Sequence, residues 1–155
     1  MKSIFDPKIR TEIISRIDKL QFDSKAQWGK MDITQMLQHC CLCEEYYLGK
    51  VRVSRSFIGR IFGKAALKKI LGSDTTLLSK NAPTASQFIP PVKTEAAGSP
   101  LLFDQEKQKW KSLIESYAAF HPIEFRHWFF GKMTTTQLGE FIYKHCDHHL
   151  RQFKI

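Results

Sequence analysis

Two stretches of this chain match one another without a gap. Trp28-Gly29-Lys30-Met31-Asp32-Ile33-Thr34-Gln35-Met36 and Phe130-Gly131-Lys132-Met133-Thr134-Thr135-Thr136-Gln137-Leu138 share an aromatic residue, Gly, Lys, Met, a capping residue, Thr-Gln and a long apolar residue. In each, Asp32 or Thr134 stands three residues before Gln35 or Gln137, the spacing at which cap and glutamine satisfy each other's backbone N–H groups at a helix start. Each copy lies between two amphipathic segments. The pattern therefore constrains the chain to two αα-hairpins of similar design, which would pack as an antiparallel four-helix bundle.

The rest of the 155-residue sequence fits an all-α fold read as one domain over 1–155. Asp6-Pro7 is an N-cap with proline at the first helical position, opening a helix over 7–21 with Ile9, Ile13, Ile17 and Leu20 on one face. A second helix, over 33–48, places Met36, Leu37, Cys40, Cys43 and Tyr47 on one side. Asp104 is the expected cap of a helix over 105–120, carrying Trp110, Leu113, Ile114, Tyr117 and Phe120. The last helix spans 135–152. Residues 73–103, with Pro83, Pro90, Pro91, Gly98 and Pro100, read as a long loop, often a lid or site wall in a compact domain. No segment alternates as a strand should.

The net charge of +9 is local. Lys50, Arg52, Arg55, Arg60, Lys64, Lys68 and Lys69 fall in twenty residues without an acid, while the rest of the chain carries 17 basic and 15 acidic residues. The same segment places Phe57, Ile58, Ile61, Phe62 and Ala65 at helical spacing, so it predicts a short basic amphipathic helix over 54–71. Three readings stand: a helix packed by its apolar side with a solvated basic face, a contact with an anionic membrane, or a positive rim (Arg60, Lys64, Lys68) attracting an anionic substrate. Nothing here resembles an RNP motif, a helix-turn-helix or a zinc finger, so nucleic acid is not an expected partner. No run is long enough for a membrane span. The N-terminal residues lack an apolar signal core, and a cytoplasmic protein is expected.

The repeat also serves as a ruler for the histidines. Counted from Gly29 or Gly131, His39 is at offset 10, His145 at 14 and His149 at 18. On two equivalent helices those offsets differ by one turn each, placing all three on one inward stripe. With His145 as zero and about 100° per residue, the apolar face of the last helix centres near 13°, His149 falls near 40° and His148 near −60°. His149 is thus nearer the core direction. A His pair at i, i+4 with a third His from a facing helix is a metal constellation that leaves positions open for water or substrate. Neutral imidazoles suit zinc, nickel, iron or copper. The plainer reading of such a pair is packing alone.

Cys40, Cys41, Cys43 and Cys146 read as reduced thiols, small apolar core residues first of all. Cys43 shares the offset of His145 and is a candidate fourth ligand. Glu44, Glu140, Asp147 and His148 are candidates for supporting hydrogen bonds to ring N–H groups.

Tyr143-Lys144-His145-Cys146-Asp147-His148-His149-Leu150-Arg151-Gln152-Phe153 resembles the C-terminal signature of the DinB-like (YfiT-like) metal-binding bundles, and more narrowly a bacterial branch known only as a domain of unknown function. His127 to Thr134, Trp28 to His39 and Asn81-Ala82-Pro83-Thr84 are similar to the stretches before its last helix, around its second helix and in its central loop. Trp128 stands where that pattern has proline, and Cys146 where it has a larger apolar residue. The resemblance implies a four-helix bundle holding a divalent metal on His39, His145 and His149. It also implies one of several activities, among them thiol S-transfer through a metal-activated low-molecular-weight thiol and maleylpyruvate isomerisation. Bundles of this kind can pair into homodimers.

The functional expectation is a metal-dependent enzyme, a transferase or hydrolase, acting on a small molecule, with the basic helix and the 73–103 loop at its mouth. The alternative is a non-catalytic bundle that binds metal, a small molecule or a partner.

Overall fold

The computed structural model describes residues 1–73, 75–82, 84–90, 99–120, 122 and 124–155. Pro83, Pro91 and Gly98, named above, lie outside the described residues. Within them the chain forms α1 (Pro7–Asp18), α2 (Ile33–Tyr47), α3 (Phe57–Ile70), a 3-10 turn (Ser86–Phe88), α4 (Pro100–Ser116), β1 (Phe125–His127), β2 (Gly131–Met133) and α5 (Thr135–Gln152). No helix of the described residues is long and apolar enough to cross a membrane.

Local capping chemistry explains the helix starts. Asp6 accepts from Lys8 N at 2.8 Å, with Pro7 opening α1. Asp32 and Gln35 bond each other's backbone N–H groups in a complete capping box, as do Thr134 and Gln137. The glycines before these two boxes, Gly29 and Gly131, both have φ +84°, a left-handed conformation that side chains with a Cβ adopt at a cost. One cap differs from expectation. α4 starts at Pro100, with Ser99 accepting from Leu102 N at 3.2 Å, not at Asp104. Ser99-Pro100 is the same cap-then-proline signal as Asp6-Pro7, hidden because Pro100 reads equally well as part of a proline-rich loop.

Four helices, α1, α2, α4 and α5, form the bundle, and their contacts fix its pairing. The principal helix–helix contacts join α2 to α4, α1 to α4, α1 to α5 and α2 to α5. Cys41 meets Glu106 and Glu45 meets Lys109, so α2 and α4 run parallel. Ile4 N bonds Gly139 O and Arg16 pairs with Asp147, so α1 and α5 run parallel. Phe5 packs on Tyr117 while Lys111 pairs with Asp18, which makes α1 and α4 antiparallel. Tyr47 packs on Phe141 while His39 packs on His149, which makes α2 and α5 antiparallel. The all-α bundle is as expected; the two side-by-side hairpins are not its principal pairing, because each predicted hairpin makes its main contacts with the other one. Ile13, Ile17, Met36, Leu37, Trp110, Ile114, Leu138, Ile142 and Leu150 fill the core.

A small hairpin was not expected. β1 and β2 pair antiparallel with His127 opposite Gly131, and three residues per strand are too few for an alternating pattern to register. His127 is buried in it and neutral. Burial, and then the nearby Arg55, holds its pKa down to about 3, and its Nδ1 accepts from Phe129 N and Phe130 N at 3.1 and 3.2 Å. At Trp128, where the resemblance implied proline, the backbone N–H donates to Tyr46 Oη at 2.6 Å, a bond proline could not make.

α3 packs by its small side, not by its apolar one. Its buried positions are Gly59, Gly63 and Leu67. A Cβ on Gly59 or Gly63 would collide with the Phe129 carbonyl, so the paired glycines are what let the helix backbone lie on the hairpin. Arg55 Nη1 fixes the contact, donating to the carbonyls of His127, Trp128 and Phe129 at 3.2, 3.3 and 2.7 Å. Phe57, Ile58, Ile61 and Phe62, which only the first of the three readings buries, are 75%, 60%, 61% and 60% exposed.

Candidate metal centre

α2 supplies His39 from its middle, and α5 supplies His145 and His149 one turn apart. Because the two helices run antiparallel side by side, the rings converge. Their centroids are 5.5 Å apart for His39–His145, 4.8 Å for His39–His149 and 4.7 Å for His145–His149. One nitrogen from each ring lies within 4.8 Å of the others. All three side chains are buried, at 5%, 8% and 8% exposure.

Carbonyl groups decide which nitrogens are free. His39 Nδ1 lies 2.7 Å from Phe88 O. A backbone carbonyl only accepts, so Nδ1 carries the hydrogen and Nε2 keeps its lone pair. His149 Nδ1 lies 3.0 Å from Gln152 Oε1, and the other end of that amide, Nε2, donates to Trp28 O at 2.8 Å. The Trp28 carbonyl thus orients the amide, which makes Oε1 the acceptor and leaves His149 Nε2 unprotonated. His145 Nδ1 is buried with no hydrogen-bond partner among the described residues. Burial holds the pKa of all three rings below the usual histidine value, and mutual repulsion lowers His145 and His149 further. Neutral imidazoles that bring one nitrogen each into a single cluster are the donor set a divalent cation requires. The three rings fit such an ion.

The repeat glycine takes part directly. A Cβ on Gly29 would stand 2.7 Å from Gln152 Nε2, so the bare glycine admits the amide that orients His149. The turn at Phe88 walls the cluster from the loop side. Lys144 Nζ ties the same loop down, donating to Ser73 O and Thr76 O at 2.9 and 2.7 Å. Phe88 lacks any periodic signal in the sequence; Gln152, three residues after His149 on one helix face, carries one.

The other candidates fall elsewhere. Cys43 Sγ stands 3.7 Å from His39 Nε2 but is not one of the clustered donors, and burial pushes its thiol well above the ordinary range. All four cysteines are free and buried. His148 packs 5.6 Å from Trp28 and 5.1 Å from His149, outside the clustered set. Glu44 bonds no histidine among the described residues. It is fully buried and accepts from Tyr117 Oη at 2.5 Å, Cys146 Sγ at 3.3 Å and Trp110 Nε1 at 3.5 Å. Burial raises its pKa to about 7 against these three bonds. Cys146 therefore occupies its position as a small thiol donor to Glu44, where a larger apolar residue would leave that oxygen with one partner fewer. Asp147 pairs with Arg16 and Arg151 at 3.0 and 2.7 Å. Of the proposed basic rim, Arg60 is exposed on α3. Lys64 and Lys68 open onto a cavity of about 490 Å³ shared with Lys132, Gln137 and Glu140, and none of the three histidines lines it.

No curated protein and no solved structure matches the chain. A family model described as the DinB superfamily matches residues 11–153. Across nearly all of its length, including both helices that carry the clustered histidines, the chain belongs to the DinB superfamily.

Proposed function

We propose that His39, His145 and His149 hold a divalent metal ion, and that the protein is a metal-dependent enzyme acting on a small molecule. Transfer of a low-molecular-weight thiol to a small electrophile is the favoured reaction class. The observation that carries this reading is the pair of carbonyl-fixed tautomers, which leaves His39 Nε2 and His149 Nε2 unprotonated in one cluster. When bound, the ion would supply Lewis acidity and lower the pKa of a thiol or water beside it. The chain's own residues orient the donors through Phe88 O, Gln152 and Trp28 O, and exclude water through the burial of all three rings. Trp28 Nε1 and His148 Nδ1 are both buried without a hydrogen-bond partner among the described residues. Four free buried thiols accord with a reducing, cytoplasmic setting.

Elemental analysis of the untagged protein tests the metal. About one equivalent is expected after supply of zinc, nickel or iron, falling sharply in His39→Ala. Less than about a tenth of an equivalent with no uptake would overturn the reading. A panel of small thiols with an alkylating electrophile then tests transfer. Metal binding without thiol consumption would favour a non-catalytic, metal-holding bundle, a reading that the low exposure of the three rings also supports.

A further inference from the structure

Helix α3 presents to solvent the side that an amphipathic helix ordinarily buries. Phe57, Ile58, Ile61 and Phe62 are neighbours at i, i+1, i+4 and i+5, and at about 100° per residue they fall within one arc of about 140°. The glycine stripe holds the opposite side of the helix against Phe129 and Phe130. The apolar arc is therefore fixed outward by the packing. A patch of four large apolar side chains exceeds the scattered exposed residues normal on a monomer surface.

The charges around the patch say what it meets. Arg60 and Lys64 border the arc on one side, and Lys68 and Lys69 follow it on the last turn; all four are exposed. Lys50 and Arg52 lie exposed just before the helix, and no acidic residue occurs from 50 to 69. Apolar side chains bordered by lysine and arginine match a surface that is anionic outside and apolar beneath, which is the layering of an anionic phospholipid leaflet. A second copy of the chain fits less well. A two-fold contact through α3 would set this basic cluster against its own copy.

We propose that α3 is a peripheral membrane-docking helix: Phe57, Ile58, Ile61 and Phe62 enter the headgroup–acyl boundary of an anionic bilayer while Arg60, Lys64, Lys68 and Lys69 pair with its phosphates. The inference is independent of whether the histidine cluster holds a metal.

Co-sedimentation with vesicles of phosphatidylcholine, with and without phosphatidylglycerol, at about 150 mM salt tests it. The full-length protein is expected to bind the anionic vesicles and to bind the neutral ones at least about tenfold more weakly. Phe57→Ser/Phe62→Ser and Lys64→Glu/Lys68→Glu should each weaken binding by about tenfold or more. Both pairs are exposed, and an unchanged circular dichroism melt shows that the fold is kept. Three results would overturn the proposal. One is no binding to anionic vesicles. Another is binding that is indifferent to the serine variant, which would mean adsorption by charge alone. The third is a dimer in light scattering that the serine variant dissociates, or a DNA shift lost in the glutamate variant, without vesicle binding.

Discussion

Gln152 orients His149 from three residues further along the same helix. Its Oε1 accepts from the His149 ring at 3.0 Å while its Nε2 donates to Trp28 O at 2.8 Å, so a carbonyl 124 residues away selects the tautomer of the ring. Removing the amide should loosen the ring without touching the donor atom. Gln152→Leu is expected to lower metal affinity about 10–100-fold, measured by competition with a chelator. Gln152→Glu, which retains an acceptor, should lose less.

The three rings and their neighbour His148 separate by role. His39→Ala and His145→Ala should each abolish stoichiometric metal uptake, while His148→Ala should alter affinity by less than about threefold. Elemental analysis after dialysis against a weak chelator distinguishes them. Equal losses in all three variants would show that His148 belongs to the donor set.

Glu44 gives stability a pH dependence. Its folded pKa is about 7 against an ordinary value of 4.5, so the folded state holds the proton that the unfolded state has already released between those values. Stability from this group is therefore greatest below about pH 4.5, falls as pH rises to about 7, and is level beyond it. The whole change is about 3 kcal/mol at most. Urea denaturation at pH 5 and pH 8 should show this fall in the wild type relative to Glu44→Gln, whose side chain does not titrate. The comparison cancels the histidines, which act in the opposite direction at low pH.

Gly63 tests the seating of α3. Gly63→Ala places a methyl group against the Phe129 carbonyl, where backbone must move. A loss of about 1–3 kcal/mol is expected in chemical denaturation. Ala65→Gly, an exposed change on the same helix, should cost only the helix-propensity difference of about 1 kcal/mol.

Much of the framework was legible because its signals are local. A cap and its partner lie two or three residues apart, so Asp6-Pro7, Asp32 with Gln35 and Thr134 with Gln137 mark helix starts with no knowledge of the rest of the chain. The preference for His149 over His148 followed from helix periodicity, which reads a ring's direction from its neighbours on the same helix. Glu44 failed as a histidine partner because its bonds run to Tyr117 and Trp110 on another helix, and nothing near position 44 reports that.

The sequence by itself determined where α1, α2 and α5 start, which histidines share a face and that the charge is confined to one segment, since each depends on residues within a few turns of one another. Tertiary structure alone decided that α2 packs beside α4 and α5, that Phe88 and Trp28 carbonyls set the ring tautomers, and that α3 turns its phenylalanines outward. Periodicity can say that a helix has two faces. Which one is buried depends on what lies opposite, and here the Phe129 main chain approaches so closely that only glycine fits, so the small face packs and the large apolar face remains outside.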